Sequence, residues 1–127
     1  MSSRFVKSVW NGIEHGTYAN IAQEIGSNHS GYRRWVSIYA IYKFDFESQE
    51  SVHYYDFVKK SKGYDYCVLE FEISQVVLEN DDGIEDDDIV LLQFEPANNE
   101  LEIYEVLDGW DIKPESFVPE WKCDFPL

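Results

Sequence analysis

The chain has 127 residues and a formal net charge of −15, so it is long enough for one domain and too short for two of usual size. A hydrophobic content of 44% and an aromatic content of 17% exclude a disordered acidic tail. Residues 1–43 carry five basic and two acidic side chains, whereas residues 44–127 carry five basic and 23 acidic ones. The acidic surface that residues 44–127 would form disfavours binding to nucleic acid and to anionic lipid, and it favours binding to basic partners.

The N-terminal segment predicts a pair of helices within residues 3–26. The second helix covers about residues 18–25, with Thr17 as its N-cap and Gly26 as its C-terminal stop. The first helix has one apolar stripe at the spacing i, i+1, i+4, i+5 and i+8, formed by Phe5, Val6, Val9, Trp10 and Ile13.

Within residues 17–35, Ala22 and Gly26 stand four positions apart. The Ala and the turn Gly of a helix-turn-helix motif have the same spacing, so this segment resembles that family in part. Arg33 and Arg34 would then lie on the recognition helix, and the resemblance implies a DNA-binding regulator. The two-residue periodicity that follows favours a strand instead, and a net charge of −15 repels phosphate. We therefore expect no direct binding to nucleic acid.

An antiparallel sheet of about five strands is predicted over residues 32–107. Alternation of apolar and polar residues is clearest in the first and third strands, and the last two form a hairpin closed by residues 96–99. The predicted fold class is α+β, a helical pair packed on an antiparallel meander, with an irregular C-terminal segment at 108–127. The predicted strands cover residues 32–46, 53–60, 67–74, 89–95 and 100–107.

Residues 80–88 form an acidic loop around Gly83, which invites comparison with a calcium-binding EF-hand loop. Placing Gly83 at the sixth position puts Leu78 at the first position and Ile89 at the twelfth. Both side chains are apolar, so the motif fails and we expect no metal and no cofactor. Two interpretations remain open, a solvated loop between strands and a binding region for a basic partner.

No catalytic motif is apparent, and we expect the chain not to be an enzyme. His53 and Asp56 would lie on opposite faces of the predicted strand 53–60. Glu70 and Glu72 share one face of their strand, but that face is predicted to be polar and solvent-facing, which does not raise a carboxylate pKa. An enzyme with an unrecognised pocket would instead require His53 to lie in a buried cluster with carboxylates.

The two cysteines, Cys67 and Cys123, are separated by 56 positions and belong to no CxxC motif. We expect both to be reduced thiols, with one disulfide between them as the alternative, and Cys67 to be a small buried apolar residue of its strand. No apolar core of a signal peptide stands at the N-terminus, and no window approaches the ~20 apolar residues of a membrane span. We therefore expect a cytoplasmic protein that does not associate with membranes.

Aromatic residues interleaved with acids have the composition of a binding site for a cationic surface. In size, acidity and lack of catalytic motifs the chain is similar to immunity proteins, which block bacterial toxin nucleases by stoichiometric binding. One alternative is a nucleic-acid mimic that inhibits a DNA-binding or host-defence protein. The predicted partner-binding residues are Asp81, Asp82, Glu85, Asp86, Asp87, Asp88, Glu70, Glu72, Tyr54, Trp110 and Asp111.

Overall fold

A five-stranded antiparallel sheet with four α-helices makes up the part of the chain that the computed structural model describes, residues 4–80 and 82–127. The helices are α1 (Lys7–Glu14), α2 (Asp56–Lys60), α3 (Gln75–Leu78) and α4 (Glu100–Gly109). The strands are β1 (Asn20–Ile25), β2 (Tyr32–Ala40), β3 (Tyr66–Ser74), β4 (Val90–Ala97) and β5 (Val118–Pro119). Single 3-10 turns cover Ile41–Lys43, Gln49–His53, Asp86–Asp88, Pro114–Ser116 and Glu120–Lys122.

The strand order is β4-β3-β2-β1-β5, and every neighbouring pair is antiparallel. The predicted α+β class and the antiparallel sheet are therefore confirmed. The first predicted helix is confirmed as α1, whose buried face includes Val9, Trp10 and Ile13.

Both faces of the sheet are covered. One face, here called the α1 face, is covered by α1 and α4, which pack on β2 and β3. The other, the α2 face, is covered by α2 and residues 123–127, which pack on the same strands. Because successive side chains of a strand point to opposite faces, β3 is buried at eight of its nine positions. The prediction that Glu70 and Glu72 face solvent is wrong, since they are only 7% and 6% exposed.

The predicted helix at 18–25 is instead strand β1, which pairs with β2 on one side and β5 on the other. Ile21 and Ala22 are both fully buried, because a strand inside a two-sided sheet buries consecutive residues. That run of apolar residues also fits a helical face, which is why the periodicity was ambiguous. With β1 and β2 as strands, the helix-turn-helix interpretation is wrong, and Arg33 pairs with Glu24 at 2.6 Å.

The structure differs from the prediction at three further places, one strand end and two segments that are helical rather than extended. Strand β2 ends at Ala40 and passes into a 3-10 turn, rather than continuing to residue 46. Residues 53–60 contain α2, and residues 100–107 belong to α4 rather than to a hairpin strand. Helix α4 begins where the Asn99 side chain accepts a hydrogen bond from the Glu102 amide at 2.9 Å, and its Ile103 and Leu107 are buried one turn apart.

Candidate functional site

Two segments that are distant in sequence meet on the α2 face and form an open groove of about 490 Å³. One wall comes from the 3-10 turn before α2, and the other comes from the acidic loop. The three carboxylates of the groove are all exposed. We call this feature the acidic groove; it is lined by Val52, His53, Tyr54, Tyr55, Ile84, Glu85, Asp86 and Asp87.

Hydrogen bonds between the walls hold the acidic loop in place. The Tyr55 hydroxyl donates to the carbonyl of Ile84 at 3.1 Å, and the Asp56 amide donates to Oδ1 of Asp86 at 2.9 Å. Ile84 itself packs against the buried cluster on the α2 face, which includes Phe57. The loop is therefore anchored by one apolar side chain and two hydrogen bonds, rather than being only a solvated connection.

The carboxylates of the loop also order their own turn. The Glu85 amide donates to Oδ2 of Asp88 at 2.9 Å, while the Glu85 side chain accepts from the Asp88 backbone, which makes a reciprocal capping box. Asp88 is half-buried as a result, whereas Glu85, Asp86 and Asp87 remain exposed. This turn presents several negative charges at defined positions.

One aromatic side chain of the groove, Tyr55, is neutral. Burial raises the pKa of Tyr55 above its ordinary value, and the charges of Asp86 and Asp88 raise it further. The hydroxyl therefore stays protonated and remains a donor to Ile84 over the physiological pH range. A groove with tyrosine rings on one wall and exposed carboxylates on the other has the chemistry to bind ammonium or guanidinium groups.

The groove shows no buried catalytic cluster centred on His53. This histidine is exposed, so it does not provide the buried arrangement that the enzyme alternative requires. Within residues 4–80 and 82–127, no group of three or more His, Cys, Asp or Glu side chains is arranged to hold a metal ion. Both cysteines are free, and Cys67 is buried in β3.

Glu70 and Glu72 lie at a different place, on the α1 face of β3. Nε2 of Gln93 donates to Oε1 of Glu70 at 3.0 Å, and Nε of Arg34 is 3.7 Å from Oε2 of the same carboxylate. Glu72 accepts a hydrogen bond from the Ser27 hydroxyl and lies 3.7 Å from Nδ1 of His29. Their partners belong to this chain, so these carboxylates are not available to a second protein.

Trp110 lines another groove, of about 600 Å³, on the α1 face. The Trp110 side chain is half-buried and packs against the core on that face. Glu102 lines the same groove, and its side chain accepts a hydrogen bond from the Asn98 amide at 2.9 Å. Asp111 is exposed and has a φ of 58°, in the left-handed region. It lies in the turn that ends α4, where the Ile112 amide donates a hydrogen bond to the Leu107 carbonyl. These two residues therefore lie apart from the acidic groove and have structural roles.

The structure thus brings together only part of the predicted set. Tyr54, Glu85, Asp86 and Asp87 line the acidic groove. Asp82 and Asp88 belong to the same loop, and Asp81 lies outside the described residues. The groove also uses residues that the sequence prediction missed, namely Val52, His53, Tyr55 and Ile84. The one local signal for them is Ile84, the single apolar residue of the acidic loop, which packs against the buried cluster on the α2 face.

No helix among the described residues is both long and apolar enough to cross a membrane. Comparisons with protein-family models, curated proteins and solved structures find no match to this chain. Its function is therefore inferred from the geometry and charge of the site.

Proposed function

We propose that this chain is a binding protein that neutralises a basic protein by stoichiometric binding, and that the acidic groove is the contact surface. One observation carries the proposal: an aromatic segment and an acidic segment, separated by about 30 positions, are held together as two walls of one open groove. The exposed carboxylates of the acidic segment favour a cationic ligand over a small apolar one.

The groove is suited to tight binding because it is formed before the partner arrives. The backbone of residues 84–88 is fixed by hydrogen bonds, so little conformational entropy is lost when Lys or Arg side chains pair with its carboxylates. Val52 is 66% exposed at the rim and offers an apolar contact beside the charges. Tyr54 adds an aromatic ring to which a guanidinium can stack.

The charge of the whole chain supports the same partner. A net charge of −15 attracts a basic protein over a distance of about one Debye length and accelerates association at low salt. The association rate should therefore fall as salt is added, while contacts inside the groove mainly determine dissociation.

The partner we propose is a bacterial toxin nuclease, which would make this chain its immunity protein. A nuclease binds the phosphates of its substrate with Lys and Arg side chains. Carboxylates presented in a groove would occupy those same cations and occlude the active site. On this proposal the chain acts in the cytoplasm as a stoichiometric inhibitor and needs no catalysis of its own.

The test is to recover the partner by pull-down from the native host, and then to measure its affinity for a groove variant and a matched control. The groove variant Glu85→Gln, Asp86→Asn, Asp87→Asn keeps each hydrogen-bond acceptor and removes three charges. The control, Asp108→Asn, Glu115→Gln, Glu120→Gln, removes three charges from exposed acids outside the groove. We expect the groove variant to weaken binding by about 100-fold and the control by about threefold or less.

Equal losses in the two variants would show that net charge, rather than the groove, determines binding, and would overturn the choice of site. Recovery of a protein that is not basic would overturn the proposal itself. Competition by DNA for a partner that normally binds DNA without cleaving it would favour a nucleic-acid mimic instead of a nuclease inhibitor.

A further inference from the structure

One edge of the sheet exposes apolar side chains that the proposed groove does not use. Strand β4 is at the end of the strand order, and its one strand neighbour in the described part of the chain is β3. Val90, Leu91 and Leu92 are 41%, 42% and 41% exposed. Three consecutive exposed apolar residues on an edge strand form a template for pairing with another strand, which proteins ordinarily protect.

The free edge is limited to the first half of β4. The register against β3 shifts between Glu70 and Phe71: Gln93 is opposite Glu70 and Leu91 is opposite Phe71, so Leu92 is an extra residue. The second half of the strand contains Glu95 and Pro96, a charge and a residue without an N–H, and both discourage strand addition. The open edge is therefore residues 90–93.

We propose that residues 90–93 of β4 accept an extended segment of the basic partner, which becomes a sixth strand of the sheet. This inference rests on the proposed function and names how the partner is held. Charge complementarity supports it, because Asp86, Asp87 and Asp88 precede the open edge and Glu95 follows it. A segment with apolar residues in its centre and Lys or Arg at its ends matches that pattern, since backbone hydrogen bonds supply affinity and side chains supply specificity.

Charge also argues against a second copy of this chain as the occupant. Antiparallel self-pairing centred on Leu92 would place Asp88 of one copy opposite Pro96 of the other, and Ile89 opposite Glu95. Carboxylates of the two copies would then lie side by side, in a dimer of two chains that each carry a net charge of −15. A cationic segment meets attraction at the same positions.

The experiment uses the full chain and a synthetic peptide of about ten residues, with alternating Val and Thr in the centre and Lys and Arg at both ends. The matched peptide carries Glu in place of the basic residues. Amide hydrogen exchange, read residue by residue by NMR, should slow by about tenfold or more at residues 90–93 with the basic peptide. The acidic peptide should leave exchange there unchanged.

Two edge variants and one control make the result specific. Leu92→Pro removes a backbone donor at the bulge, where no residue of β3 is opposite, and Leu92→Lys adds a repelling charge without changing the backbone. Both should abolish the protection, and either alone suffices if the other fails to fold by circular dichroism. The control is Leu101→Lys, which changes a leucine of α4 that is 68% exposed. This variant should bind the peptide as the parent chain does.

A basic peptide that binds without protecting residues 90–93 would overturn the inference and leave the groove proposal intact. A dimer in sedimentation that Leu92→Lys dissociates would also overturn it, because the occupant would then be a second copy. The converse result is also informative. If the triple substitution in the groove changes neither the protection of residues 90–93 nor the affinity for the recovered partner, the proposed groove would be overturned and the edge would be retained.

Discussion

Gly12 in α1 shows how one residue can depend on the absence of a side chain. A Cβ built at this position would lie 2.2 Å from Cε2 of the Tyr18 ring, which crosses the helix there and packs edge-on against Trp121. No real Cβ approaches a ring carbon so closely, so either the ring or the helix would have to move.

We expect Gly12→Ala to lower the free energy of unfolding by about 1–3 kcal/mol, since overpacking against Tyr18 outweighs the gain in helix propensity of about 1 kcal/mol. Urea denaturation followed by circular dichroism measures the change. The control is Gly109→Ala, at the last residue of α4, where a Cβ meets open space and stability should be unchanged or slightly higher. An equal loss in both variants would contradict the steric explanation.

At the scale of an element, β3 combines a hydrophobic strand with two buried carboxylates. Glu70 is within 3.7 Å of Nε of Arg34 on β2 and accepts a hydrogen bond from Gln93 on β4, so it links three neighbouring strands. Nε of Arg34 is buried and makes no hydrogen bond within the described residues, so the charge of the Glu70 carboxylate is what faces it. The carboxylate thus compensates a guanidinium that is largely removed from water.

Glu70→Ala should therefore destabilise the fold by about 1–3 kcal/mol, because it removes the negative charge beside the Arg34 guanidinium and leaves the Gln93 side chain without its acceptor. Thermal unfolding monitored by circular dichroism would report it as a lower Tm. Glu95→Ala, at an exposed position of β4, should change stability by less than about 0.5 kcal/mol. If the two substitutions have the same effect, the pairing of Glu70 with Arg34 contributes nothing and its burial needs another explanation.

The elements also show which local patterns were informative. The prediction of strand β3 is correct because apolar and polar residues alternate strongly along it. The same alternation, however, predicts that Glu70 faces solvent, whereas it is buried. Helix α4 was predicted as a strand because Asn99 was assigned to a turn, although an Asn followed by acids is a helix start signal. In both cases the local sequence allowed two structures, and the packing of other elements selected one.

The candidate site was only partly predictable for a similar reason. Charge and composition singled out Glu85, Asp86 and Asp87, because acidic density can be read directly from the chain. Their convergence with Tyr55 depends on a hydrogen bond between residues 56 and 86, which no local pattern encodes. The buried pairing of Glu70 with Arg34 is likewise a contact between strands.

At the scale of the whole molecule, burial of titratable groups determines how stability should be lost at alkaline pH. Burial raises the pKa of the Cys67 thiol from its ordinary value near 9 to about 12, and that of Tyr66 from near 10 to about 12. The protonated forms are therefore favoured by folding. Above about pH 9 the unfolded chain releases protons that the folded chain retains, so the free energy of unfolding should fall progressively up to about pH 12.

We expect urea midpoints to be nearly constant between about pH 7 and 8.5 and to fall steadily above about pH 9. Tyr66→Phe removes one of the buried titrations, so its midpoint should fall less steeply than that of the parent chain above about pH 10. Repulsion among the many carboxylates offers a competing explanation, but it is screened by salt, whereas buried ionisations are not. A decline that disappears in about 1 M NaCl, with no difference between Tyr66→Phe and the parent, would therefore assign the alkaline loss to surface charge rather than to the buried groups.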